Sequence, residues 1–143
     1  MSPRTQYDTM RSILALILAV ALAACRTVPH AGGEASPVVE FLLTSAAADF
    51  HAHPPPAPVR SFRDVRSGSF TSPDGTRQYL LCGEFSTARD GGKIEWTPFV
   101  TIKTSGYEQY LGAQATHFCK RSTTTWDVYD WSASLQSRLA ALR

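Results

Sequence analysis

The clearest alternation of apolar and polar positions lies in residues 78–103. In its second arm Ile94, Trp96, Val100 and Ile102 share one parity, while Lys93, Glu95, Thr97, Thr101 and Lys103 share the other. That period of two predicts a strand with one buried and one wet face. The first arm, Tyr79 to Phe85, is apolar enough for a central strand. Between the arms Ala88-Arg89-Asp90-Gly91-Gly92 supplies the Asp-Gly and Gly-Gly steps that tolerate the positive φ of a tight hairpin. Pro98 marks its own position as an edge or a bulge, because proline has no N–H to give a ladder.

Upstream, Val59 begins another strand-like run, Arg60 to Thr71, which ends at Ser72-Pro73-Asp74-Gly75, a turn in which Pro presets φ. Three consecutive antiparallel strands follow, the minimum for an independently stable sheet. Tyr107 to Gly112 adds a short fourth strand or a turn. Two stretches of helical period flank the meander. Ser36 and Pro37 start the first, as cap and first helical residue. Val38, Phe41, Leu42, Ser45 and Asp49 trace its turns with Phe41 and Leu42 as anchors, and it stops near Phe50 before His51-Ala-His53-Pro-Pro-Pro-Ala-Pro58. The second follows Val128, Trp131 or Ser132, Leu135, Leu139 and Leu142, with Thr124 or Thr125 as cap and Asp127 in its first turn. The fold class is therefore α+β: an antiparallel meander of three to four strands between an N-terminal and a C-terminal helix.

The start of the chain reads as an address. Arg4 and Arg11 form a basic n-region, and Ser12 to Ala24 an apolar stretch too short for a comfortable membrane span. Leu22-Ala23-Ala24-Cys25 then resembles the lipobox of bacterial lipoproteins, in which the Cys thiol is acylated and the chain is cut just before it. Three segments result: residues 1–24 a lipoprotein signal peptide, 25–36 the lipidated Cys25 and a flexible tether, and 37–143 one α+β domain. Arg26 after the Cys, where Asp would suggest inner-membrane retention, favours by that resemblance an outer-membrane anchor facing the periplasm.

Losing Arg4, Arg11 and Asp8 with the leader turns the formal charge from +2 to +1. That balance points away from nucleic acid. With Cys25 used by lipid, Cys82 and Cys119 remain as an even pair in an oxidising compartment, and a disulfide between them is expected. It would tie the central arm to the segment that launches the C-terminal helix.

Candidate chemistry is sparse. Cys82 with His117 could be a nucleophile and base, but an oxidised cysteine cannot be a thiolate and no third orienting group is evident. His51 and His53 have metal-pair spacing without a further ligand, so no metal or cofactor is expected. Glu84 and Glu95 could face each other across the hairpin as paired carboxylates, and more simply are strand-surface residues. Arg60, Arg63 and Arg66, interleaved with Asp64, suit a solvated strand face. Tyr107, Tyr110, Trp126, Tyr129 and Trp131 make the second half aromatic-rich; most belong to core, and one or two exposed rings would mark a docking surface.

Phe62-Arg63-Asp64-Val65, Tyr79-Leu-Leu-Cys-Gly-Glu-Phe85, Gly91-Gly92 and Trp96-Thr-Pro-Phe99 together resemble a group of small bacterial envelope proteins. These carry a Phe-Arg-x-Val segment, a Cys-Gly-Glu strand, a Gly-Gly turn and an aromatic-Pro-Phe strand. Thr101-Ile-Lys-Thr-Ser-Gly-Tyr-Glu-Gln-Tyr110 and the later Cys also look like the lipoprotein members from alpha-proteobacteria. The likeness spans roughly residues 38–143 and implies a family without implying an activity or binding residues. The function expected is a non-catalytic envelope lipoprotein that binds a protein partner or supports an envelope assembly. The alternative is a small periplasmic inhibitor similar to the lysozyme-inhibitor lipoproteins; a hydrolase would instead show a deep pocket with two convergent titratable groups.

Overall fold

A computed structural model describes residues 35–143, which form one unit. The leader, Cys25 and all but the end of the tether lie outside the described residues. The α+β architecture is as expected, with a five-stranded antiparallel sheet in the order β4-β3-β2-β1-β5. In chain order the elements are α1 (Pro37–Ala52), β1 (Val59–Thr71), β2 (Arg77–Ala88), β3 (Ile94–Lys103), β4 (Tyr107–Leu111), α2 (Ala113–Cys119), β5 (Thr125–Trp126) and α3 (Ser132–Ala141).

Helix α1 begins as its sequence asks: the Ser36 hydroxyl accepts the Val39 N–H and Pro37 takes the first turn. It runs two residues past Phe50, so His51 sits in its last turn rather than on an extended segment. Its buried stripe is Val39, Leu42, Leu43, Ala46 and Phe50, whereas Phe41 is 36% exposed. Only Leu42 of the two expected anchors reaches the core. The small residues Ser45, Ala46 and Ala47 let the helix lie close to the sheet there, and that closeness fixes the stripe.

The one-wet-face expectation for β3 does not hold. Phe99, Val100, Thr101 and Ile102 are all buried, because helices cover both faces of the sheet. On one face Val65, Leu81, Phe85 and Phe99 meet α1 and the α3 residues Leu135 and Leu139, with Trp131 closing the cluster. Phe50 stands edge-on to Phe62, Phe85 and Phe99 at centroid distances of 5.2, 5.1 and 5.3 Å. Such pairs contribute about 0.5–1.5 kcal/mol each beyond burial. On the other face Phe70, Leu80, Cys82, Val100 and Ile102 lie under α2, which adds Ala115 and the partly buried Phe118 and Cys119.

Pro98 sits where proline is tolerated. Its carbonyl accepts the Gly112 N–H at 2.8 Å, so its missing N–H points to the side where β4 has already ended. The C-terminal helix starts later than its spacing suggests. Thr125 and Trp126 pair with Ser69 and Gly68 as β5, Val128 is fully exposed, and α3 begins at Ser132 with the Asp130 carboxylate accepting its N–H at 2.8 Å. The pattern failed there because a strand capping the edge of β1 satisfies its backbone without any local period. Leu135 and Leu139 are buried as expected, but against α1 and β1, and Leu142 is 44% exposed.

Candidate functional site

The disulfide face carries the site, and a bulge in β1 shapes it. Arg63 pairs with Glu84 and Arg66 with Cys82, so three steps on β1 match two on β2. One extra residue shifts the parity of the strand. Phe62 and Val65 thus both turn to the face that α1 and α3 cover, while Arg63 and Arg66 both turn to the disulfide face. Asp64 takes a φ of 52°, in the left-handed region that aspartate tolerates better than most residues. Gly83 lies opposite the bulge; a Cβ there would come within 2.8 Å of Val65 Cγ2 and 2.9 Å of Phe99 Cε1. The strand therefore needs glycine at that point.

The bulge is held from outside by the approach to α3. The Trp131 N–H donates to the Val65 carbonyl at 2.7 Å, and the Val65 N–H donates to Ser132 Oγ at 3.2 Å. Next along the edge, the Asp127 N–H donates to the Ser67 carbonyl at 2.9 Å, and Ser67 Oγ donates to the Asp127 carboxylate. Gly68 admits the Trp126 ring, since a Cβ would stand 2.7 Å from Trp126 Cε3. Burial alone would raise the Asp130 pKa. The Ser132 hydroxyl and N–H, the Val65 backbone and the Arg66 charge outweigh burial and leave the carboxyl below its ordinary value.

These devices leave an open cleft of about 480 Å³ between β1 and α2. Asp64 and Arg66 form one wall, Thr116, Cys119 and Lys120 the other, and Trp126 closes an end. The floor is Cys82, Gly83, Glu84 and Pro98. Cys82 and Cys119 are bonded, with Cα atoms 5.8 Å apart, as the cysteine count predicts. The bond fastens α2 to the sheet. It does not launch the C-terminal helix, which packs on the opposite face. Elsewhere on the disulfide face Arg121 stacks 4.2 Å over the Phe70 ring.

The expected carboxylate pair is not assembled. Glu84 lies opposite Pro98 and Glu95 opposite Thr87. Each carboxylate has its own arginine: Glu84 meets Arg63 at 2.6 Å, and Glu95 meets Arg89. Arg63 also lies 4.1 Å over the Trp96 ring and 4.0 Å from Asp64. His117 is exposed on α2, and Cys82 is committed to the disulfide, so the two form no dyad. His51 and His53 are both exposed, and His53 Nδ1 meets Asp49 at 3.3 Å. Among the described residues no group of three His, Cys, Asp or Glu side chains could hold a metal ion. Arg60, Arg63 and Arg66 are exposed, as a solvated face requires. The sequence did not single out Thr116 or Lys120 of the cleft wall, because their segment has no clear period. Gly68 and Gly83, inside otherwise regular strands, were the available signal of close approach. Among the described residues no helix is long and apolar enough to cross a membrane.

No family model, curated protein or solved structure matches this chain.

Proposed function

We propose that this chain is a non-catalytic, lipid-anchored envelope lipoprotein that presents its disulfide-face cleft to a protein partner. The observation that carries the reading is the cleft itself. It joins an aromatic ring and a proline to charges of both signs, on a floor fixed by a covalent bond. Rigid aromatic and arginine-rich surfaces are the usual anchors of protein interfaces. The carboxylates nearest the cleft serve an arginine, which suits recognition better than proton transfer. The leader and the lipobox-like Leu22-Ala23-Ala24-Cys25 support placement in the envelope, with an outer-membrane anchor at Cys25.

A photo-crosslinking residue at Thr116 in the full chain, activated in intact cells, tests the partner. One adduct is expected from Thr116 and none from Ser137, on the α3 side. Reversing charge with Lys120→Glu should abolish it without changing the melting temperature. Equal adducts from both positions, or an adduct indifferent to Lys120→Glu, would overturn the reading. If the captured partner is a cell-wall hydrolase that the purified protein slows, the inhibitor alternative replaces the assembly role. The anchor is tested separately: a fatty-acid probe should label the wild type and not Cys25→Ala.

A further inference from the structure

Strand β4 ends the sheet, so among the described residues no strand covers its outer side. The ladder fixes which of its backbone groups face outward. The Gly112 N–H points to Pro98 on β3, and antiparallel strands alternate, so Tyr110 and Glu108 also direct their backbone inward. Tyr107, Gln109 and Leu111 then direct N–H and carbonyl outward. The devices that usually protect an edge are missing from Tyr107–Leu111. It has no proline, no lysine and no bulge, and its single charge, Glu108, is engaged by the Tyr110 hydroxyl at 2.5 Å.

We propose that β4 pairs antiparallel with β4 of a second copy, about a two-fold axis at Gln109, to give one continuous ten-stranded sheet. In that register residue 107 meets residue 111 of the copy, and the three outward-facing residues of each strand find partners. The side chains agree with the backbone. Tyr107 and Leu111 are 37% and 41% exposed, both lie on the face that α1 and α3 cover, and each would cover the other across the axis. Gln109 meets Gln109, an amide that both donates and accepts. Glu108 falls opposite Tyr110. An axis one residue earlier would instead oppose Glu108 to its own copy, which like charges disfavour. The outward-facing residues Tyr107, Gln109 and Leu111 are thus symmetric in polarity about Gln109, a property that a second copy satisfies and an unrelated peptide does not require. A single strand pair buries less than the roughly 1,600 Å² of a standard interface, so the dimer is of the transient class. Two copies anchored in one membrane would meet at a raised effective concentration.

The test uses the full chain in detergent, read by sedimentation and by photo-crosslinking from position 107. Gln109 accepts the Thr101 hydroxyl at 2.7 Å, and Gln109→Glu keeps that acceptor while opposing two carboxylates at the axis. Wild type should dimerise and Gln109→Glu should weaken the dimer about tenfold or more, the effect of roughly 1.4 kcal/mol. An equimolar mixture of Gln109→Glu and Gln109→Lys should restore dimers, and those should contain one of each. Leu111→Pro removes an outward N–H without touching β3, so it should leave the melting temperature intact and abolish the dimer. A wild-type chain that stays monomeric, a mixture that does not recover, or adducts from position 107 only to a different protein would overturn the proposal.

Discussion

Removing the disulfide should loosen α2 and spare α3. The bond closes a separation of 37 residues, for which loop-closure entropy amounts to roughly 4 kcal/mol in the unfolded chain. That is a large share of the 5–15 kcal/mol by which a domain is normally stable. The loss should be uneven. Helix α2 has seven residues, of which only Ala115 is buried, and its other hold is Phe118 stacked 5.5 Å from Tyr110. A helix of that length is marginal in water on its own. Helix α3 has Leu135 and Leu139 buried against the opposite face. The double variant Cys82→Ala/Cys119→Ala avoids a stray thiol. It should lose a few kcal/mol in denaturant unfolding, and native-state hydrogen exchange should accelerate first in residues 113–119. Exchange in 132–141 should follow only the global loss. Earlier exchange in α3 than in α2, or an unfolding free energy lowered by less than about 1 kcal/mol, would refute the division of the two faces.

Other expectations follow from the bulge and its surroundings. Gly83→Ala should cost about 1–3 kcal/mol, because its Cβ would meet Val65 and Phe99 below 3 Å, and thermal melting measures this directly. Asp64→Val should cost about 1–2 kcal/mol at a φ of 52° while Asp64→Gly does not; equal melting temperatures would mean the strand does not impose that backbone. Asp130 is held below its ordinary 3.8, so its contribution is present above that pH and fades as the pH falls through the lower folded value. Acid unfolding followed from about pH 5 downward should be shallower in Asp130→Asn, and an unchanged profile would contradict this. Chelation should leave the melting temperature of the full chain where it was; a fall of several degrees would reveal a metal site.

Much of the framework was legible because local chemistry decided it. Ser36 and Pro37 can do little but begin a helix, and the two Gly-containing turns set the meander. The cysteine count paired Cys82 with Cys119. What was not legible depends on distant partners. Thr101 reads as a wet-face residue, yet it is fully buried where its hydroxyl meets Gln109 from β4. The two residues of β5 are too few for a period and exist because the edge of β1 lies open to them. The cleft escaped notice for the same reason. Its walls come from the bulge and from α2, and only the pairing of strands reveals a bulge.

The packing of α3 on α1 has a consequence for the order of assembly. Arg138 grips Glu40 through two hydrogen bonds of 2.7 Å across 98 residues of chain. The hairpins, by contrast, close over a handful. Closing a long loop carries extra entropy, and contacts distant in sequence form slowly. A chain that folds from its N-terminus onward therefore builds the meander on α1 while the parts of α1 and β1 that meet α3 still lack its cover. During that interval an apolar strip of α1 and β1 faces solvent, and that exposure invites capture by a chaperone or by a neighbouring chain. Docking of α3 ends the interval, so chains truncated before residue 132 should be the species that chaperones hold.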